Sequence, residues 1–373
     1  MRVFVSTGEA SGDMLAAALA EAMRAREPGI EFEGIGSERM AAAGFTLTIR
    51  TDGWASMGLW AALVRIVPMV LIGAAHVARL RLRPVDLVVL VDFGALNLRV
   101  AQALRRVGYA GPVLYFVPPG VWFDRPSQAR AVARNAVALT AFARQRDFYR
   151  SLGLPVAYFG HPLASLVRPR TPRPPAPADG GTLALLPGSR YDEVRRHMPR
   201  LIAAYELLRA RRPRLEVIVS AADRGCERIV QAALRGAGIS ARVVRGARAA
   251  LDEADAAFIA SGTAVLEAML REVPCVALYV ASPGAARYGV RVWKRRHFTL
   301  PNLLLEREVI PEFWQDAASP EALAAALEAL LHDPSGQRSA SSELRAILGP
   351  PGALDRAAEF ALALARGQAP VFA

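Results

Sequence analysis

Four stretches of this 373-residue chain carry residue types that can do chemistry together. The first is Ser261-Gly262-Thr263-Ala264-Val265-Leu266-Glu267, which follows the apolar run 256–260 and opens a helical pattern to about Leu270. A strand, a tight turn and a helix start set backbone N–H groups and hydroxyls around an anion, and the helix start adds roughly half a positive charge. Glu267, about one turn further in, is placed to accept hydrogen bonds from paired ribose hydroxyls. The stretch reads as the nucleotide end of a sugar-nucleotide site. An ordinary helix N-cap by Ser261 or Thr263, with Glu267 solvated, explains the heptapeptide equally well on its own. The second stretch, Gly8-Glu9-Ala10-Ser11-Gly12-Asp13, lies between the first strand and a helix from about Met14 to Arg26. It is neither GxGxxG nor a P-loop. Its two acids suit sugar hydroxyls or a proton to be removed better than a phosphate, and a turn with a capped helix is the plain alternative. Third, the strand 87–91 delivers Asp92, with Asn97 following. Fourth, His161 ends a strand in Gly160-His161-Pro162-Leu163, where loops carry function, although a lone histidine is as often a packed one.

The elements that must position these residues alternate. Strands are expected at 2–6, 32–35, 46–49, 87–91, 113–117, 137–140 and 156–159, with helices between them. A run of prolines, 168–181 (RPRTPRPPAPADGG), breaks the pattern and behaves as a semi-rigid spacer. A second alternation then brings strands at 183–186, 216–219, 241–244, 257–260 and 275–280, and helices at 320–332, 339–348 and 353–366. Strands alternating with helices spell parallel sheets covered on both faces. The expected organisation is therefore two α/β domains, 1–167 and 182–350, joined by the spacer and facing a central cleft. A last helix within 351–373 would return to the first domain or pass to a partner subunit. Ligands of such sheets sit at the carboxyl ends of the strands, and the loops after the strands ending near Ser6, Val91, Leu186 and Ala260 are expected to face that cleft.

Composition narrows the partners. Hydrophobic residues make up 53% of the chain, yet no apolar run reaches the roughly 18–20 residues of a spanning helix. The N-terminus reads as a strand and not as a signal sequence, so a cytoplasmic location is expected. Cys226 and Cys275 fit no metal or redox spacing. The net charge of +12 is carried almost wholly by arginine, Lys294 being the one lysine. It suits a polyanion or an anionic membrane face, and no nucleic-acid motif accompanies it. Two segments fit a membrane interface. Residues 57–84 hold apolar runs broken by Arg65 and Pro68 and followed by Arg79, Arg81 and Arg83; residues 287–297 hold five basic residues among Tyr288, Val292 and Trp293. A buried helix pair and a solvated helix face are the respective alternatives.

Taken in order, these residues resemble the lipid-A-disaccharide synthase family, two-domain glycosyltransferases of the GT-B architecture, built from two Rossmann-like domains. The shared residues are Gly8 to Asp13, Gly34-Ile35-Gly36 with Met40, Met57-Gly58, Asp92 with Asn97-Leu98, Val121-Trp122, Gly160 to Leu163, Leu186-Pro187-Gly188-Ser189-Arg190 with Glu193, Ser261 to Ala264 with Leu266-Glu267, Leu300-Pro301-Asn302, and Pro311-Glu312 with Gln315. The resemblance implies inverting transfer of an acylated glucosamine from UDP to an acylated glucosamine 1-phosphate. It implies no metal or cofactor, a peripheral protein on the inner membrane face, and a possible homodimer with an exchanged C-terminal segment. It makes Arg190 and the Ser261-Gly262-Thr263 amides the candidates for charge on the departing diphosphate, with Gly188 and Ser189 beside them and Glu267 on the ribose. Asn302 and Gln315 would line the donor pocket; Gly8, Ser11, Asn97 and His161 would contact substrate. Where the family usually has D-x-P-D-F-N, this chain has Asp92-Phe93-Gly94-Ala95-Leu96-Asn97, so the family's usual candidate base falls on Ala95. Asp92, Asp13, Glu9 and Asp124 are then the carboxylates available as base. The departures cluster in the acceptor half, which leaves open a different acceptor, or a binding protein that keeps UDP-sugar or lipid affinity without turnover.

Overall fold

The computed structural model describes residues 1–51, 59–120, 125–170, 177, 179–292, 296–370 and 372, with side chains described there except at 59–69, 95 and 288–292. The chain forms two compact units.

The first unit takes Met1–Trp54, Ala62–Leu166 and Leu348–Ala373. Its elements are β1 (Arg2–Ser6), α1 (Ala10–Arg26), β2 (Glu31–Gly36), α2 (Glu38–Ala42), β3 (Thr46–Arg50), α3 (Leu59–Leu82), β4 (Leu87–Val91), α4 (Gly94–Arg106), β5 (Val113–Phe116), α5 (Pro126–Asn135), β6 (Val137–Thr140), α6 (Ala143–Ser151), β7 (Ala157–Tyr158) and α7 (Pro162–Leu166). The strands make one parallel sheet in the order β3-β2-β1-β4-β5-β6-β7. β4, Leu-Val-Val-Leu-Val, is fully buried, as a strand covered on both faces must be. The chain leaves β1 towards β2 on one side and later crosses to β4 on the other, so the sheet reverses direction between β1 and β4.

Two helices in this unit differ from the sequence expectation. α1 begins at Ala10, not Met14, so Ser11, Gly12 and Asp13 lie inside its first turn. Such residues discourage helix interiors, but the earliest N–H groups of a helix need no intrahelical partner, and the Asp13 carboxylate is engaged by the start of α2. α3 is one continuous helix running through Pro68, rather than two pieces. A single proline removes one backbone bond, and the long apolar run sustains the helix around it. No helix among the described residues is long and apolar enough to cross a membrane.

The second unit is built from Val167–Ile347. It contains β8 (Gly180–Leu186), α8 (Tyr191–Arg211), β9 (Arg214–Ala221), α9 (Arg224–Gly236), β10 (Arg242–Arg245), α10 (Ala247–Glu253), β11 (Ala256–Ala260), α11 (Thr263–Leu270), β12 (Cys275–Tyr279), α12 (Pro283–Val292), α13 (Leu300–Leu305), β13 (Glu312–Trp314), α14 (Pro320–His332) and α15 (Ser335–Leu348). Its parallel sheet has the order β10-β9-β8-β11-β12-β13 and reverses between β8 and β11. The core beneath it joins Leu183, Leu185 and Phe258 of the sheet to Val194, Met198 and Leu201 of α8 and to Leu323 and Leu327 of α14. β8 starts inside the expected spacer, and β13 was not anticipated because three residues give no readable alternation.

The final helix, α16 (Ala353–Ala365), belongs to the first unit and packs on α1. Arg26 pairs with Asp355 at 3.1 Å and Glu359 at 3.0 Å, and Arg366 pairs with Glu27 at 2.6 Å.

Candidate active site

Each sheet offers the loops flanking its point of reversal, the place where open α/β sheets bind ligands.

In the first unit these loops follow β1 and β4. Gly8 lies against the Phe93 ring so closely that a Cβ would come within 2.5 Å of it, and a larger residue would force the ring to move. Glu9 is the extended N-cap of α1, and Ser11 is half-buried in its first turn. Asp92 and Phe93 both adopt left-handed backbone conformations, with φ of 48° and 46°. Each such non-glycine residue stores roughly 1–3 kcal/mol of strain, and such strain concentrates at functional sites. The Asp92 backbone is pinned from three directions. Its N–H donates to the Phe116 carbonyl at 3.0 Å, and its carbonyl accepts from the Tyr115 hydroxyl at 3.0 Å and from Asn97 Nδ2 at 3.1 Å. The carboxylate of a half-buried residue is thereby held at the end of a central strand.

Three residues expected to meet substrate are enclosed instead. Asn97 is wholly buried: Ser6 Oγ donates to its Oδ1 at 2.8 Å, and its Nδ2 donates to the carbonyls of Ser6, Val91 and Asp92 at 3.0–3.1 Å. Asn97 therefore ties β1 to β4 across the reversal and has no group left for a ligand. Asp13 is also buried. Its Oδ1 accepts from Ser37 N at 2.6 Å, and its Oδ2 accepts from Ser37 Oγ at 2.8 Å, Arg39 N at 2.9 Å and Met40 N at 3.4 Å. It caps α2 from a distance, in place of the base role expected of it. His161 lies edge-on to Phe142, with ring centroids 4.8 Å apart. Its Nδ1 accepts from Leu163 N at 3.1 Å, which puts the proton on Nε2, and burial pushes its pKa down to about 3. It is a neutral, packed histidine. Asp124 lies outside the described residues, as does the side chain at Ala95.

In the second unit the loops follow β8 and β11. Gly188 has φ of 109°, and a Cβ there would lie 2.9 Å from Glu193 Oε2, so the turn admits only glycine. Ser189 is exposed and Arg190 is the extended N-cap of α8. Arg190 Nη1 donates to Glu193 Oε1 at 2.8 Å, and the Tyr279 hydroxyl donates to the same oxygen at 2.9 Å. Burial pushes the Tyr279 pKa up to about 12, so it stays a donor. One turn along α8, the fully buried His197 donates from Nδ1 to the Pro187 carbonyl at 2.7 Å and accepts at Nε2 from Val280 N at 2.9 Å. Burial lowers its pKa as well, which keeps this neutral tautomer in place. Glu193 and His197 thus clamp the β8 loop to the end of β12, leaving Arg190 on a fixed base. Both sit at i and i+4 of one helix directly after Leu-Pro-Gly-Ser-Arg, and that spacing was the signal available in the sequence.

The strand, turn and helix around Ser261 fall where the sequence puts them, with Gly262 exposed at the start of α11 and open space above its Cα. Within the helix the first N–H groups of α11 lack partners by construction and point out of its end. Ser261 is not one of the anion donors. Its N–H is taken by the Leu278 carbonyl at 2.9 Å and its hydroxyl donates to the Phe298 carbonyl at 3.2 Å. Glu267 lies one turn after Thr263 and is buried. Asn302 and Gln315 both bind neighbouring groups of this unit. Asn302, wholly buried, donates to the Ile310 carbonyl at 2.8 Å and Glu312 Oε1 at 2.7 Å, and accepts from Val309 N and Ile310 N. Gln315 Oε1 accepts from Ala281 N at 2.6 Å.

The family model described as lipid-A-disaccharide synthetase matches residues 3–349. The chain is 34% identical to a lipid-A-disaccharide synthase from Synechocystis sp. over 99% of each chain, and 37% identical to one from Myxococcus xanthus over 97% of each. Among solved structures it is similar to a UDP-GlcNAc 2-epimerase from Neisseria meningitidis bound to UDP-GlcNAc (TM-score 0.61, 10% identity, 97% and 98% covered). It is also similar to the calicheamicin glycosyltransferase CalG4 (TM-score 0.56, 18% identity, 99% of both chains). At those identities the structural likeness speaks for the fold alone.

Proposed function

The chain belongs to the lipid-A-disaccharide synthase family, and from that premise we propose that it moves an acylated glucosamine from UDP to an acylated glucosamine 1-phosphate. The observation that carries the reading is the family match along nearly the whole chain, joined to the fixed Arg190 and the open helix start at Gly262 on either side of one sheet reversal.

The second unit takes the donor. The N–H groups at the start of α11 and the Arg190 guanidinium receive the diphosphate, and Glu267 receives the ribose. As the bond to the anomeric carbon breaks, negative charge grows on the departing UDP. Donors already held in place stabilise that charge without reorganising. The first unit takes the acceptor. Its hydroxyl attacks the anomeric carbon from the face opposite the leaving group, which inverts the configuration, and a carboxylate removes its proton. Since Asp13 is committed to α2 and position 95 is alanine, Asp92 and Glu9 are the described carboxylates that remain at the reversal of this sheet. General-base help of this kind is worth about 10²–10⁴-fold.

The acceptor is a lipid, and α3 gives it a route. Val70, Leu71 and Leu82 are exposed there, Leu82 by 82%, with Arg83 just beyond. Arg79 and Arg81 are partly engaged within the unit, on Glu33 and on the Val107 carbonyl. Exposed apolar residues beside arginine suit the anionic inner face of the cytoplasmic membrane. Incubation with UDP-2,3-diacylglucosamine and 2,3-diacylglucosamine 1-phosphate, following UDP release, tests the function. Release that requires both lipids supports it. No release overturns it, and release with another acceptor only would mark a different specificity, which the alanine at position 95 favours as the second reading.

A further inference from the structure

The Glu312 carboxylate gathers hydrogen bonds from three residues of the second unit, Phe298, Thr299 and Asn302. It opens the short strand β13, its side chain is 5% exposed, and its carboxylate accepts four hydrogen bonds. Oε1 accepts from Thr299 N at 2.8 Å, from Thr299 Oγ1, and from Asn302 Nδ2 at 2.7 Å. Oε2 accepts from Phe298 N at 3.0 Å, and His297 Nδ1 lies 3.6 Å away. Asn302 extends the network by binding the backbone of Val309 and Ile310. One carboxylate therefore fixes the backbone of the 298–299 loop and the start of α13.

That loop carries two links to the donor side. The Phe298 carbonyl accepts the Ser261 hydroxyl, which holds the turn whose helix start faces the diphosphate. The Phe298 ring meets Trp314 edge-on at 5.8 Å, Trp314 stacks on Tyr279 at 5.4 Å, and the Tyr279 hydroxyl holds Glu193, the partner of Arg190. Phe298 is thus the junction between the β11 turn and the Arg190 clamp, and Glu312 fixes its backbone.

We propose that Glu312 is the positioning residue of the donor site, acting through the Phe298 carbonyl on the Ser261-Gly262-Thr263 turn without touching the nucleotide. This rests on the reading of the second unit as the donor-binding half. A carboxylate is required because both of its oxygens accept hydrogen bonds. In Glu312→Gln one oxygen becomes an NH2, which meets a donor in either orientation. Placed at Oε2 it faces Phe298 N–H, and the peptide that presents the carbonyl to Ser261 is displaced.

The test is a double-mutant cycle on UDP affinity by calorimetry, with wild type, Glu312→Gln, Ser261→Ala and both together. Glu312→Gln is expected to weaken UDP about tenfold, the loss of one good hydrogen bond's worth of alignment, and Ser261→Ala about fivefold. The double variant is expected near tenfold, not near the fiftyfold product, because both substitutions break one connection. In turnover the loss should appear in KM for the UDP-sugar, with KM for the acceptor unchanged. Leu234→Ala, a core truncation in α9 away from the loop, serves as the stability control and should leave UDP affinity unmoved even where its melting temperature falls as far. If Glu312→Gln does not fold, Thr299→Val removes one donor and keeps the backbone bonds, with a threefold loss expected. Wild-type UDP affinity in the Glu312 or Thr299 variant, or effects that multiply, would overturn the proposal. Wild type failing to bind UDP would instead overturn the donor-site reading beneath it.

Discussion

Replacing Asp13 by asparagine separates structure from catalysis in the first unit. The side chain is 1% exposed and its two oxygens hold four donors at the start of α2. Asparagine keeps one oxygen. Its best placement leaves that oxygen at Oδ2, with three of the donors, and turns the NH2 towards Ser37 N–H, which then loses its acceptor. An orphaned buried N–H costs about 1–3 kcal/mol. The three surviving bonds also lose their charge assistance, since bonds to ionised groups are roughly twice as strong. The sum is a loss of about 2–4 kcal/mol in the stability of this unit. Urea unfolding followed by circular dichroism measures it as a shift in midpoint at constant slope. Turnover per folded molecule should remain within a few-fold of wild type at a temperature where the variant is folded. Unchanged stability with turnover reduced by a hundredfold or more would refute the assignment and return Asp13 to the list of bases.

Further outcomes follow from the same geometry. Asp92→Asn and Glu9→Gln should each retain UDP affinity, and the one that is the base should lose 10²-fold or more in kcat; wild-type rates in both would exclude both. His161, with its folded pKa at about 3 against 6.5 for the free group, binds its proton only on unfolding. The unfolded state therefore holds more protons between those values, and stability falls as pH drops below about 6.5, by up to about 1.4 kcal/mol per pH unit, and is flat above it. His161→Gln removes that share, so the stability difference between wild type and variant should shrink by about 2 kcal/mol from pH 7 to pH 5. A difference that is constant with pH would contradict the buried neutral histidine.

The alternation of apolar strands and helices makes both sheets legible in the sequence, because parallel strands covered on two faces must be continuously apolar, as 87–91 and 256–260 are. The loops at the sheet reversals were legible for the same reason: they begin where those runs stop. What the pattern could not reveal was which polar residues face a ligand and which bind the backbone. Asn97, Asn302 and Gln315 stand in motifs shared with a known family, and such constancy fits a ligand or a structural tie equally well. Only burial and saturated hydrogen bonding separate the two. Glu312, noted only as a shared residue, and Tyr279 were given no role because their meaning depends on partners 13 and 86 residues away in the chain. Short elements such as β13, and the helical first turn at Ser11-Gly12-Asp13, escaped because tertiary contacts outweigh local propensity there.

The central claim is tested most directly by the lipid product. With UDP-2,3-diacylglucosamine and 2,3-diacylglucosamine 1-phosphate supplied together, mass spectrometry should find a single new species, the tetraacylated disaccharide 1-phosphate, formed one for one with UDP. Recovery of both lipids unchanged by a protein that still binds UDP would contradict it.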